Sequence, residues 1–249
     1  VLPRAVGAGF PSRSRTETCQ VLGQLAGEEM NLTTRINVVV MTIVLAVSGM
    51  LAHGFFEVLQ GNKPTDGLII QAIGPEQQMW LYGTEEAFSL VPNFLVTGLL
   101  AMGASLALIV WAAGFVHNRH GPLVLLLLFV LLFLVGGGIA QVLFFVPLCA
   151  ASTRINKPLT WWRRVLPERL RPVLAKLWPW FLTSAAVLFL LGLAISITGF
   201  FPGLTDPDQI LNADWLILLL GGLFFFLAFV AGFARDIQRS PAAEESARR

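Results

Sequence analysis

Charge is what this 249-residue chain has least of. Asp, Glu, Lys and Arg together make up 13% of it, against about 25% in soluble domains. With 55% hydrophobic residues and a mean hydropathy of +0.72, that shortage excludes a soluble enzyme, a disordered chain and a nucleic-acid-binding domain. The net charge of +2 leaves no polyelectrolyte footprint. Cysteine is nearly missing too. Cys19 lies in a polar stretch and Cys149 in an apolar run, so a disulfide framework is not expected. Metal, nucleotide and nucleophile motifs are lacking: no C-x-x-C, H-E-x-x-H, G-x-S-x-G, Walker A or G-x-G-x-x-G occurs. Catalytic residues and cofactors are therefore left unassigned. No internal repeat relates two halves, which argues against an inverted-repeat transporter.

What is present is membrane-length apolar sequence. A helix needs roughly 20 apolar residues to cross about 30 Å of hydrocarbon. Five runs meet this, at about 36–59, 88–116, 122–152, 179–201 and 215–234. The expected fold is an all-α integral membrane protein. It comprises a bundle of about five transmembrane helices in one domain over 36–234, one interfacial amphipathic segment, an N-terminal tail over 1–35 and a polar tail over 235–249. The third run contains Gly136-Gly137-Gly138, Gln141 and Pro147. It is read as one tilted helix, with a re-entrant pair as the alternative. Thr84 before Glu85 and Glu86 resembles a helix cap with acids in the first turn. Asp214 is read as the cap of the fifth helix. Small residues at Gly98, Ala101 and Ser105, and at Gly192 and Ser196, mark faces where helices approach. Arg outnumbers Lys 14 to 3, which is compatible with a GC-rich bacterial genome and a bacterial inner membrane. Gly27-Glu28-Glu29 back-translates to a purine-rich string before Met30, so residues 1–29 are read either as a leader or as a tail.

Basic residues orient the chain. If the C-terminus faces the cytoplasm, 12 basic residues fall inside and at most 5 outside, and the positive-inside rule gives N-out, C-in. If the glycines make a hairpin, both termini lie inside. Seven of the basic residues, Arg154, Lys157, Arg163, Arg164, Arg169, Arg171 and Lys176, crowd one loop with Trp161, Trp162, Trp178 and Trp180 at its edges. Leu166, Leu170, Val173, Leu174 and Leu177 share a helical face there. The expected partners are the lipid bilayer, anionic headgroups at residues 154–176, and a companion membrane protein; nucleic acid is not expected.

Ionisable groups inside a span are functional candidates by default. His53 and Glu57, four apart, lie near the end of the first run, and Glu85 and Glu86 near the start of the second. These four are the candidates for a proton or ligand site. Ion pairing with Arg154, Arg163 or Arg164 is the plainer alternative. No metal site is assigned, His53 and Glu57 being only weak ligand candidates. His117 and His120 are read as a solvated turn. Residues 61–83 are expected to fold back near His53 and Glu57, as a lid or as a packed connector. The function expected first is a structural or accessory membrane component. The alternatives are a small carrier or ligand-binding protein using His53, Glu57, Glu85 and Glu86, and a lipid-acting enzyme at the cytoplasmic interface.

Overall fold

The computed structural model describes residues 30–248, with side chains to Ser240; the leader reading of residues 1–29 lies outside the described residues. Four helical segments are long and apolar enough to cross a membrane: Leu32–Gln60, Phe94–Gly114, Arg171–Thr198 and Pro207–Ser240. The chain is a multi-span membrane protein by helix length and hydropathy.

The first segment is α1 (Leu32–Ser48), a π-helical turn (Gly49–Phe55) and α2 (Phe56–Gln60) in one continuous rod. It begins before the expected residue 36. Strands β1 (Ile69–Gln71) and β2 (Glu86–Ser89) follow, then α3 (Phe94–Gly114). The second span therefore starts later than residue 88. Its cap is Asn93, whose Oδ1 accepts from the Val96 N–H at 3.1 Å, and not Thr84. Glu86 belongs to a strand and Glu85 to the loop before it, so the expected acidic first turn is not formed.

The third run is not one span. α4 (Gly121–Leu134) stops at β3 (Val135–Gly138), a short 3₁₀ turn follows, and α5 (Val142–Ser152) runs back. At about 21 Å and 16 Å both helices are shorter than the hydrocarbon core. Glycine costs about 1 kcal/mol per residue in a helix, and three in succession release the backbone into an extended path. Gly136 takes φ +111°, open to residues without a Cβ. The freed amides and carbonyls are then paired: β3 lies antiparallel to β2 (Ala87 opposite Gly138, Ser89 opposite Val135), and β2 to β1. Non-helical backbone at membrane depth is tolerated only when buried and paired in this way, and all four β3 residues are buried.

The hairpin fixes the topology. Asn156 Nδ2 donates to the His117 carbonyl, which brings the exit of α5 back to the entry of α4. Asn31 Nδ2 donates to the carbonyls of Arg154 (2.6 Å) and Lys157 (2.8 Å), so α1 starts at that same end. α6 (Thr160–Val165) lies there, before α7 (Arg171–Thr198) and α8 (Pro207–Arg248) cross and return. The start of α1 and the end of α8 thus share one face, as in the hairpin alternative and unlike the five-span arrangement, which puts the two on opposite faces. α8 also carries helix through most of the expected polar tail, and it begins at Pro207, so Asp214 is two turns inside it and is not its cap.

Charge divides between the two faces. Among residues 30–240, one face holds Arg35, Arg119, the seven basic residues of the 154–176 loop, Arg235 and Arg239. The other holds Lys63 with Asp66, Glu76, Glu85, Glu86, Asp206 and Asp208. The basic loop is more tightly packed than an interfacial amphipathic segment. Leu166 is buried, whereas Leu170 and Val173 are exposed, because residues 171–177 are the first turns of α7. Trp162 packs on Phe233 at 4.6 Å and Trp178 donates to Asn37, while Trp161 and Trp180 face outward. Arg171 is occupied within its own loop, donating to the carbonyls of Leu166 and Arg163.

The basic end is closed by one carboxylate. Asp236 accepts from the N–H groups of Thr33 (2.9 Å) and Thr34 (2.8 Å) and from the Thr34 hydroxyl (2.7 Å). It supplies from another helix the cap and negative charge that the N-terminus of α1 favours. Asn31, at the usual cap position, makes no cap bond. Replacing Asp236→Ala leaves these buried donors unpaired, at about 1–3 kcal/mol each. The expected outcome is a markedly lower unfolding midpoint in detergent; a midpoint equal to that of the unsubstituted protein would show that the cap is dispensable.

Candidate polar site beneath the glycine strand

Three elements meet under the acidic face: the π-helical turn with α2, the first half of α3, and β3. The first two cross closely because both carry glycine. A Cβ added to Gly98 would fall 2.6 Å from the Gly54 carbonyl oxygen, and one on Gly54 would fall 3.0 Å from that of Gly98. Ala101 and Ser105, on the same face as Gly98, are fully buried, so this small-residue face packs as expected. A π turn widens the helix locally and is common where side chains do chemistry. Here it carries His53, and Glu57 follows one turn on.

His53 is 3% exposed and Glu57 is 0% exposed. Neither forms a salt bridge, and His53 Nδ1 and both Glu57 carboxyl oxygens have no hydrogen-bond partner among the described residues. Both side chains press against the glycine strand. A Cβ on Gly136 would sit 2.5 Å from a Glu57 carboxyl oxygen, and one on Gly138 would overlap His53 Nε2. The glycines therefore do two jobs: they break the helix and they leave room for an imidazole and a carboxyl group. Further polar groups surround the pair. The Gln141 amide nitrogen and the Ser105 hydroxyl are buried without partners among the described residues, and both approach Gly49. Thr97 donates to the Val135 carbonyl at 2.6 Å and sits 2.6 Å from the Ser89 hydroxyl, tying α3 to the end of α4 and to β2.

By helical rise, Glu57 lies only about 5 Å, and His53 about 10 Å, below the end of α2. The three-stranded sheet closes over them, and Gln60 Nε2 clips β1 in place through the carbonyls of Gln71 and Ala72. The 61–93 segment is thus a hydrogen-bonded connector folded onto the site.

Of the four sequence candidates, the structure brings together His53 and Glu57. Glu86 is exposed on β2, opposite Gln71. Glu85 faces a different carboxylate, Asp214 on α8. Asp214 is buried, accepts from the Ser196 hydroxyl at 2.7 Å, and keeps its other oxygen unpaired among the described residues. Arg154, Arg163 and Arg164 lie at the opposite face, so they pair with none of these acids. Among the described residues no group of three or more His, Cys, Asp or Glu is arranged around a metal position. The participants that residue-type reasoning passed over are Gly136, Gly138 and Ser105. The triple glycine followed by Gln141 inside an apolar run was the signal available for them.

The loop also docks on the α7–α8 turn. Trp80 donates to the Ser196 carbonyl at 2.8 Å and lies over Gly199, whose φ is +62°. Tyr82 donates to Asp208 at 2.5 Å. Burial, reinforced by the Asp214 carboxylate, pushes the Glu85 carboxyl up to about 7 from 4.5. A raised acid means that the docked loop holds a proton the undocked loop has lost. Docking is then firmest at low pH and weakens as pH rises from about 4.5 through 7. Amide exchange of residues 74–86 is expected to speed up between pH 5 and pH 8 beyond its intrinsic rise. Glu85→Gln should flatten that excess; an identical excess in the variant would remove Glu85 as its source.

No family model, no curated protein and no solved structure matches the chain.

Proposed function

We propose that this is a proton- or ligand-binding membrane protein whose site is His53 and Glu57, entered from the acidic face. The observation that carries the reading is Glu57: a carboxyl group inside a membrane-length helix, fully buried, with neither oxygen partnered among the described residues. An ionised carboxylate in such a place costs several kcal/mol unless something neutralises it. Buried acids of this kind mark proton and ion pathways. His53, one turn away, offers a second group able to accept or donate a hydrogen bond or a proton. Gln141 and Ser105 add neutral hydrogen-bonding groups able to orient a small polar guest. This supports the carrier or ligand-binding alternative over the accessory component. The lipid-enzyme alternative needs the glutamates and the arginines in one pocket, and they sit at opposite ends of the helices.

The same reading makes the basic face cytoplasmic, since 11 of the 12 basic residues between 30 and 240 are there. In intact cells, an impermeant maleimide should modify Asp66→Cys and spare Arg169→Cys. The reverse pattern would invert the orientation.

The functional test is proton uptake into proteoliposomes carrying an internal pH dye, under an imposed gradient. The folded protein should accelerate uptake over protein-free vesicles. Glu57→Gln should slow it at least about tenfold, and His53→Gln by less, a proton relay being worth about 10²–10⁴ in rate. If Glu57→Gln lowers only the yield of folded protein and leaves uptake per molecule unchanged, the residue is structural and the accessory reading takes its place.

A further inference from the structure

The basic face carries a cavity remote from the polar site, which shares Lys157 with the start of the basic loop. It opens where the re-entrant hairpin enters and leaves the membrane, and it encloses about 650 Å³, within the usual range for a ligand site. Its rim is Arg119 and His120, at the start of α4, and Lys157, after α5. Its wall is Leu123 and Leu126 on α4 and Val146 on α5. The three rim side chains are exposed and form no salt bridge among the described residues. The three wall residues keep between about a third and just over half of their surface open (55%, 37% and 51% exposed). A cationic rim continuous with a bare apolar wall at the edge of a bilayer matches an amphiphile with an anionic head.

We propose that this cavity binds one anionic phospholipid, with the phosphate at Arg119, His120 and Lys157 and an acyl chain along Leu123, Leu126 and Val146. Basic pockets between membrane helices on the cytoplasmic side hold anionic headgroups in this manner. The geometry also gives the lipid a structural task. α4 and α5 are too short to anchor themselves across the bilayer, and the protein clips their mouth with few polar links, Asn156 to the His117 carbonyl and Trp111 to the Gly121 carbonyl. A lipid phosphate touching both Arg119 and Lys157 would bridge the same two chain segments. The proposal does not depend on the His53–Glu57 reading.

The test is native mass spectrometry of the detergent-solubilised full chain, delipidated and then titrated separately with phosphatidylglycerol, phosphatidylcholine and inorganic phosphate. One phosphatidylglycerol should bind per chain, phosphatidylcholine should bind far more weakly, and millimolar phosphate should not displace the bound lipid. Arg119→Gln with Lys157→Gln should weaken binding by about 30-fold, at about fivefold per charge. Arg164→Gln with Arg169→Gln, two exposed cations elsewhere on this face, should leave it unchanged. Leu126→Trp, which fills the wall without altering charge, should also weaken it. Equal retention of both lipids, displacement by free phosphate, or a control pair as damaging as the rim pair would each overturn the proposal. If the rim variant does not fold, the lipid comparison on the unsubstituted protein and Leu126→Trp still decide it.

Discussion

Four residues of extended backbone, Val135–Gly138, lie buried between helices in a protein whose solvent is lipid, and their amides and carbonyls must find partners within the chain. The solution is β2, drawn out of the loop before α3 to lie beside them. Much else depends on that pairing. The loop cannot leave the acidic face, α4 and α5 are held to half-length, and the hairpin returns to the face it came from. Because the hairpin adds no net crossing, four spans remain, and the first and last meet at the same end. The glycines that permit the extended path also open the space that His53 and Glu57 fill.

The two faces consequently do different work. The acidic face is a packed connector of short strands and aromatic side chains over a buried imidazole and carboxyl group, fastened at the far side to the α7–α8 turn by Trp80 and Tyr82. The basic face gathers most of the cations, and there Trp162 and Trp178 tie the loop to the bundle while Arg171 donates within the loop itself. His53 and Glu57 are thus separated from the arginines by the length of the helices.

The membrane class, the spans' apolar cores and the packing faces at Gly98 and Gly192 were legible in the sequence, because length, hydropathy and residue size are local properties. His53 and Glu57 were legible as a pair for the same reason: four residues apart on one helix. The helix boundaries were less so. Glu85 and Glu86 carry the chemistry of a helix start, yet tertiary pairing turns Glu86 into strand and leaves capping to Asn93. Composition allowed both a tilted helix and a hairpin at residues 122–152; what separates them is the availability of β2, some fifty residues upstream. The arrangement of the loops turns on that same choice, since the parity of crossings decides which loops share a face. Once the hairpin is placed, the basic residues divide 11 to 1 between the faces for residues 30–240, a cleaner asymmetry than five spans produced. Asp214 and Asp236 were unreadable because their partners, Ser196 and Thr33–Thr34, are set by helix packing rather than by neighbours in the chain.

Asp236 also has a meaning for the order in which this protein is made. α1 begins with donors that are satisfied about two hundred residues later, by a carboxylate on α8. Without α8 beside it, the start of α1 has to borrow water or headgroup oxygens. The carboxylate thus serves as a clasp that closes only once α8 has been made, and a chain truncated before residue 236 would leave α1 open at that end.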